Sequence, residues 1–506
     1  MSVWSGGYVT DVDYIAGYYA EQSPHLIAAA CLVSGLAVDI DLNAAGFHFL
    51  ELGCGRGRNA MMAAAGNPGW RVTALDFNAA AIAEARSIAA AAGLDNITFI
   101  EADLADFHAS PEAAALAPVD VVSLHGVWSW VPLPVRDGIV RLLDAKLRAG
   151  GLAHVSYNVL PALQGALGMQ RLLRTAGQAL ATRSDRQATA GLGVVRELAA
   201  AEAMHLAGPK VVGELLGMLD DAPVAYLAHE YMNATWYPCF HADVADVADA
   251  LAPARLDYAC SPRIPENFPT LMLTDAQRAI HDRFEDGRLR ELIKDMCAPR
   301  GLRHDVYVRG ARRLSTRDQD RALRALTMTL TVPVARFIYK LDMPAGLAAL
   351  GEDYYGPVVR ALGQGPAQVG DLLRLPDLAG RSDNPAELVG MMVGTMQAAI
   401  VPRPEAAADA RLTAFNAHMA RAGVQLDQLN KPMVAASTRI GGGLPCRAVE
   451  LFLIERIGAT GGGVDPGIWA AELGPELPPD EQARLRGLFI TVLEERLPVW
   501  RYAGLV

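Results

Sequence analysis

What this chain lacks narrows it before any motif is considered. Its six cysteines, at 31, 54, 239, 260, 297 and 446, lie far apart with no Cys-x-x-Cys pair, which argues against both a zinc site and a disulfide scaffold. They read as reduced, mostly buried thiols, and no metal is expected. No apolar run reaches the roughly eighteen residues that a membrane-spanning helix needs, and residues 1–17 carry neither a basic n-region nor an apolar h-region. The expectation is a cytoplasmic protein without a membrane partner. Charge is scarce as well: only 20% of residues are Asp, Glu, Lys or Arg, and the net charge is -11. Nucleic acid is therefore not an expected partner, because affinity for a phosphate backbone comes from clustered Lys and Arg. What is abundant is apolar side chain, 52% of 506 residues, enough for several cores and two to four domains.

The most informative stretch is 47–57, Phe-His-Phe-Leu-Glu-Leu-Gly-Cys-Gly-Arg-Gly, an apolar strand running into glycines at 53, 55 and 57. Glycines spaced this closely let a ligand approach bare backbone, since each missing Cβ removes a barrier and frees N–H groups. Asn59 and an Ala-rich run then open a helix. A second strand, 71–76, ends on Asp76, nineteen residues past Gly57, where doubly wound folds place a carboxylate that accepts from ribose hydroxyls. A dinucleotide loop needs Gly-x-Gly-x-x-Gly to seat a pyrophosphate. Here the order is Glu51-x-Gly-x-Gly-x-Gly, and a carboxylate in front would repel phosphate but suit a cationic aminoacyl group. Apolar runs at 97–103, 119–125 and 152–158, separated by helical Ala/Leu/Arg segments, imply a parallel sheet with ligands at its carboxyl edge.

This loop resembles motif I of the class I S-adenosylmethionine methyltransferases. Further stretches carry the resemblance: Tyr8-Val-Thr-Asp-Val-Asp-Tyr-Ile15 with Tyr18, Tyr19 and Ser23-Pro24, then Leu124-His-Gly-Val-Trp-Ser-Trp-Val131, Val155-Ser-Tyr-Asn158 and Tyr226-Leu-Ala-His-Glu-Tyr-Met-Asn233. Together, over about residues 8–310, they are similar to bacterial methyltransferases that carry a methyltransferase regulatory domain. The best understood members of that family are protein lysine methyltransferases acting on outer-membrane proteins. The resemblance implies an α/β, Rossmann-like class I sheet; the pattern of the chain itself adds a helical insertion and, beyond about residue 310 where the match fades, α-rich and winged-helix-like C-terminal domains. It implies S-adenosyl-L-methionine as cofactor, held by Tyr18, Glu51, Gly53, Cys54, Gly55, Asn59, Asp76, Phe77, Asp103, Leu104 and His125. Asp103 would accept from the adenine amino group; its alternative is a solvated turn aspartate.

The expected layout is an N-terminal helical cap at 1–40, a catalytic core at 41–161, a helical insertion at 162–221, the end of the sheet at 222–268, a middle regulatory domain at 269–350, a winged-helix-like domain at 351–404 and an α-rich module at 405–506. A class I sheet ends with a sixth and a seventh strand, the last one antiparallel; 224–231 and 256–261 are the candidates, with a helix near 243–251 between them. Leu167, Leu172, Leu173, Val194, Val195 and Leu198 give the insertion helical spacing. It would cover the site or make a dimer, and since the related lysine methyltransferases dimerise through such a segment, a homodimer is expected; packing within the chain is the alternative. Arg300, Arg303, Arg309, Arg312, Arg313, Arg317 and Arg321 read as a solvated face or as a dock for an acidic protein, with a helix cap at 315–318. Helices at 357–362, 369–375 and 387–398 and a strand at 399–401 outline a winged helix. With 18 Asp and Glu against 14 Lys and Arg over 351–506, protein contact is favoured there over duplex binding.

Methyl transfer from a sulfonium is an in-line displacement, so the protein must align donor and acceptor, exclude water and keep the acceptor unprotonated. Tyr14, Tyr18, Tyr157 and Asn158 are candidates for lining the acceptor's approach, unless the N-terminal tyrosines cap the sheet. Trp128 or Trp130 walls a channel or anchors a core. Glu230 would attract an incoming ammonium, or form a buried pair with His229. Three functions remain open: transfer to lysine side chains of a protein, transfer to a small molecule or modified peptide, and cofactor binding without turnover.

Overall fold

The computed structural model describes residues 7–13, 17–208, 210–219, 222–249, 256–407 and 409–506. Period-two burial builds the central sheet: in β1 (His48–Leu52), Phe49 joins the core on one face, and Leu50 and Leu52 join the core on the other. β2 (Arg71–Asp76), β3 (Ile97–Glu101), β4 (Val119–Leu124) and β5 (Leu147–Asn158) follow in parallel, β5 after a register shift near Val119. β6 (Leu256–Cys260) and β7 (Leu302–Arg309) complete seven strands in the order β3-β2-β1-β4-β5-β7-β6, with β7 antiparallel to both of its neighbours. This is the class I methyltransferase fold. Helices Arg58–Gly66, Ala79–Ala91 and Leu133–Lys146 make the crossovers.

The sheet closes later than the sequence suggests. Residues Val224–Tyr231, expected as the sixth strand, are a helix: Pro223 stands at its N-cap, and Leu227, Ala228 and Tyr231 are buried at a helical period. The sixth strand is the stretch expected as the seventh. The true seventh strand lies within 269–350, the span assigned to a separate middle domain, after an excursion that includes helix Gly287–Cys297.

The arginine run does not behave as one solvated face. Arg300 and Arg303 are buried among Glu266, Glu291, Asp295 and Asp305, with Arg303 donating to Asp295 at 2.8 Å and to Glu291 at 2.8 Å. Arg309 is half-buried against Asp144, whereas Arg312 and Arg321 remain largely exposed. Ser315 caps helix Thr316–Arg324 as its spacing indicates, its hydroxyl accepting from the Asp318 N–H.

The insertion is helical where it is described. Helices Leu167–Leu180 and Ser184–Ala200 pack together, burying Leu173 and Val195 in a separate small core with Leu206, Leu227 and Tyr231. Further on, helices Glu352–Leu362, Val369–Leu372 and Pro385–Gly394 precede strand Ala398–Ile400, close to the winged-helix outline. The wing differs: Ala398–Ile400 pairs back onto Thr327–Leu330, which precedes the three helices, and among the described residues no strand follows Ile400 to form a hairpin with it. The last part is a hairpin, Pro432–Ser437 with Gly442–Arg447, among helices Ala410–Gly423, Ala448–Ala459, Pro466–Leu473 and Pro479–Tyr502. Among the described residues no helix is long and apolar enough to cross a membrane.

Candidate active site

The backbone leaves β1 through three left-handed glycines, Gly53, Gly55 and Gly57, with φ of 69°, 51° and 69°. A Cβ on Gly53 would lie 2.3 Å from Val127 Cγ2, and one on Gly57 would lie 2.4 Å from the Phe99 ring, so both are fixed by close approach. Gly55 differs: nothing lies within 4 Å of its missing Cβ, and it borders a cavity of about 650 Å³ at the carboxyl edge of the sheet.

The carboxylates at the strand ends are held in place locally. Asp76, at the end of β2, accepts from Gly55 N–H at 2.7 Å and from Asn78 N–H at 2.9 Å; burial raises its carboxyl against the pull of these bonds. Asp103 accepts from Ala105 N–H at 2.9 Å. Glu51 is buried, and desolvation, with Asp76 adding to it, pushes its carboxyl up to about 8. Its Oε2 is buried without a hydrogen-bond partner among the described residues. A cation entering the cavity would supply the missing partner.

A second group of residues walls the other end of the same cavity. Glu230, on helix Val224–Tyr231, makes no hydrogen bond or ion pair among the described residues, and burial pushes its carboxyl up to about 7. The same cavity is lined by Tyr226, Tyr231, Trp130, Trp236 and Asn158, with Leu163, Leu215 and Met218 from the insertion. Trp130 and Trp236 stack at 6.1 Å, and Trp236 Nε1 donates to Asn158 Oδ1 at 3.1 Å. Tyr8 links the two ends: Asp76 and Glu230 both act on its buried hydroxyl, which burial holds well above the usual tyrosine range. His125 packs on Tyr19 with ring centroids 3.9 Å apart and shares a hydrogen bond with Ser156 Oγ. Burial pushes its imidazole down to about 4, so it is neutral at physiological pH.

Of the residues singled out from sequence, the cavity brings together Glu51, Gly53, Cys54, Gly55, Asn59, Asp76, Phe77, Asp103, Leu104, His125, Asn158 and Glu230. Others it does not. Trp128 is buried against Arg136, 5.3 Å from its ring centroid, and Trp130 walls the cavity instead. Tyr157 points into the sheet's buried charge network, donating to Asp305 Oδ2 at 2.5 Å. The Tyr18 hydroxyl accepts from Gly443 N–H at 3.0 Å, in the C-terminal hairpin. Tyr14 lies outside the described residues. Sequence reasoning passed over Tyr8, Gln22, Arg58, Tyr226 and Trp236 as lining residues; Tyr8 and Tyr226 stood in the quoted motifs, whereas Trp236 and Arg58 carried no signal. Among the described residues no cluster of His, Cys, Asp or Glu is arranged to hold a metal ion.

Comparison with known proteins fits this geometry. Residues 50–153 match a family model described as a methyltransferase domain, and residues 223–309 match one described as a predicted methyltransferase regulatory domain. The second match spans helix Val224–Tyr231 and strands β6 and β7, so that region is built into the sheet. An uncharacterized protein of Synechocystis, sll1526, is 30% identical over 374 residues, covering 73% of this chain and 71% of that one. An uncharacterized protein of Rickettsia prowazekii, RP789, is 29% identical over 237 residues, 46% of this chain and 40% of that one. Among solved structures, PKMT2 from Rickettsia typhi in complex with AdoHcy superposes with a TM-score of 0.71 at 14% identity, covering 97% of this chain and 100% of that chain. At that identity the likeness speaks for the fold.

Proposed function

Because this chain belongs to the class I S-adenosylmethionine-dependent methyltransferases that carry a methyltransferase regulatory domain, we propose that it transfers methyl groups to lysine side chains of a protein substrate. The observation that carries this reading is Glu230, a half-buried carboxylate with no hydrogen-bond or ion-pair partner among the described residues, in the same cavity as the glycine loop. The fold shared with PKMT2 supports it.

The residues present fit the cofactor. The bare Gly55 backbone and the unpartnered Glu51 Oε2 would take its aminoacyl end, and Asp76 and Asp103 its ribose and adenine. When bound, it supplies a methyl group on a sulfonium centre, open to in-line displacement. Glu51 would then gain a cationic partner for its buried charge. The neutral His125 packs against Tyr19 and fixes that wall. Trp130, Trp236, Tyr226 and Tyr231 exclude water and offer ring faces to an alkylammonium chain. Glu230 takes the proton of the incoming ammonium, whose reference pKa is about 10.4. The exposed Leu180, Leu198 and Met204 of the insertion are where a second copy would pack in a homodimer.

Incubating the protein with S-adenosylmethionine labelled in its methyl group and a bacterial lysate tests the reading, with Asp76→Ala as control. Label in protein that maps to lysine by mass spectrometry supports it; label only in small molecules replaces the acceptor. With Glu230 as base, the rate rises with pH through about 7 and then levels, since only the carboxylate is active. Glu230→Gln is expected to abolish that limb and to lower kcat by about 10²-fold or more. An unchanged pH profile in Glu230→Gln would remove Glu230 from the mechanism.

A further inference from the structure

The strap of residues 17–23 forms one wall of the cavity through Gly17, Tyr19 and Gln22. Two of its anchors are near the site: Tyr19 N–H donates to Asn59 Oδ1 at 2.9 Å, and the Ser123 hydroxyl donates to Gln22 Oε1 at 2.8 Å. A third is remote in sequence. Just ahead of these anchors Tyr18, which does not line the cavity, turns its phenol to accept from the backbone N–H of Gly443, 425 residues onward. The ring is partly buried against the core, and desolvation pushes the phenol up to about 12. A Cβ on Gly443 would come within 3.0 Å of Tyr18 Cζ, so the hairpin and the ring are closely fitted.

The same hairpin is clamped to the helix that follows the glycine loop. Asn67 Nδ2 donates to Gly441 O at 2.9 Å, and Arg403 bridges Gly66 O at 2.7 Å and Thr438 O at 3.0 Å. Gly66 has no room for a side chain, since a Cβ there would lie 2.7 Å from Gly442 N. Those clamps hold helix Arg58–Gly66, whereas among the described residues the Tyr18 phenol makes the hydrogen bond that ties the hairpin to the strap.

Resting on the reading that the cavity takes S-adenosylmethionine, we propose that Tyr18 is a positioning residue for the cofactor, through which the C-terminal hairpin holds the 17–23 wall closed on it. The C-terminal module is then a working part of the cofactor site. Without the Gly443 bond, Tyr19 and Gln22 lose a fixed backbone, and ordering them falls to the cofactor.

Calorimetric titration of the full chain with S-adenosylmethionine and with S-adenosylhomocysteine tests this on wild type, Tyr18→Phe, Gly443→Ala and Arg403→Met, each checked by thermal melting. Tyr18→Phe is expected to weaken both ligands about fivefold to tenfold, the usual worth of one buried hydrogen bond. It should raise the cofactor KM more than it lowers kcat. Gly443→Ala, which disturbs the same contact from the hairpin side, should show a similar loss. Arg403→Met, which loosens a clamp away from the strap, should lower the melting temperature and leave both affinities near wild type. Wild-type affinity in folded Tyr18→Phe and Gly443→Ala overturns the proposal, as does an equal loss in Arg403→Met, which would assign the effect to module docking in general. A wild-type chain that binds neither ligand overturns the functional reading itself.

Discussion

Glu51 is a buried carboxylate lining the cavity, with one oxygen unpartnered among the described residues, and its proton affinity follows from that. Its folded value, pushed up to about 8, lies above the ordinary carboxylate range, so the folded chain holds the proton more tightly than the unfolded one. The stability it contributes is present in full below the ordinary range and is lost as pH rises through about 8. The cofactor-free protein is therefore expected to melt lower at pH 9 than at pH 6. Glu51→Gln should remove much of that drop, on the order of 2 kcal/mol, and should weaken S-adenosylmethionine tenfold or more, because a charge-assisted contact is lost. Melting curves at both pH values, with and without cofactor, check both statements. That Glu51, Gly55 and Asp76 line one cavity was legible at this scale, because they sit at strand ends where short-range spacing fixes position. Trp236 was not, since a loop far along the chain brings it to the cavity and no local pattern announces that.

Among the elements, the informative failures are the two late strands. Residues 224–231 have apolar positions at both two-residue and helical spacing, and Pro223 together with burial by the insertion decides for helix. β7 was missed because it does not read as apolar: it carries Arg303, His304 and Asp305, all buried. Such a strand is possible only where helix Gly287–Cys297 brings Glu291 and Asp295 to meet it, a long-range pairing invisible to periodicity. Burial alone would raise Glu291, but Lys294 and Arg303 hold its carboxyl down at about 2. Its contribution is thus full above the ordinary carboxylate range and lost as pH falls toward about 2. Arg303→Met leaves buried carboxylates uncompensated and is expected to cost about 3–5 kcal/mol. Urea unfolding at pH 7 would register it, and the gap from wild type should narrow at pH 3.

For the whole molecule, the apolar core is the governing fact. One continuous cluster runs from Phe49 and Val72 of the sheet through Met61 and Tyr355 to Phe489 and Trp500 near the C-terminus. Residues of the expected cap, catalytic core, middle domain, winged-helix-like domain and C-terminal module therefore share one core, while the insertion keeps its own. A chain cut after residue 404 exposes the face of helix Arg58–Gly66 that the hairpin covers, and it is expected to be insoluble or to bind no cofactor, as a pull-down on immobilised S-adenosylhomocysteine would show. Calorimetric melting of the intact chain should give one main transition. The hairpin's seat on that helix also sets an order of events during synthesis. The glycine loop leaves the ribosome long before the hairpin Pro432–Ser437 with Gly442–Arg447 that braces the helix behind it. A nascent chain must therefore carry the hairpin-facing side of helix Arg58–Gly66 uncovered until the hairpin has been made.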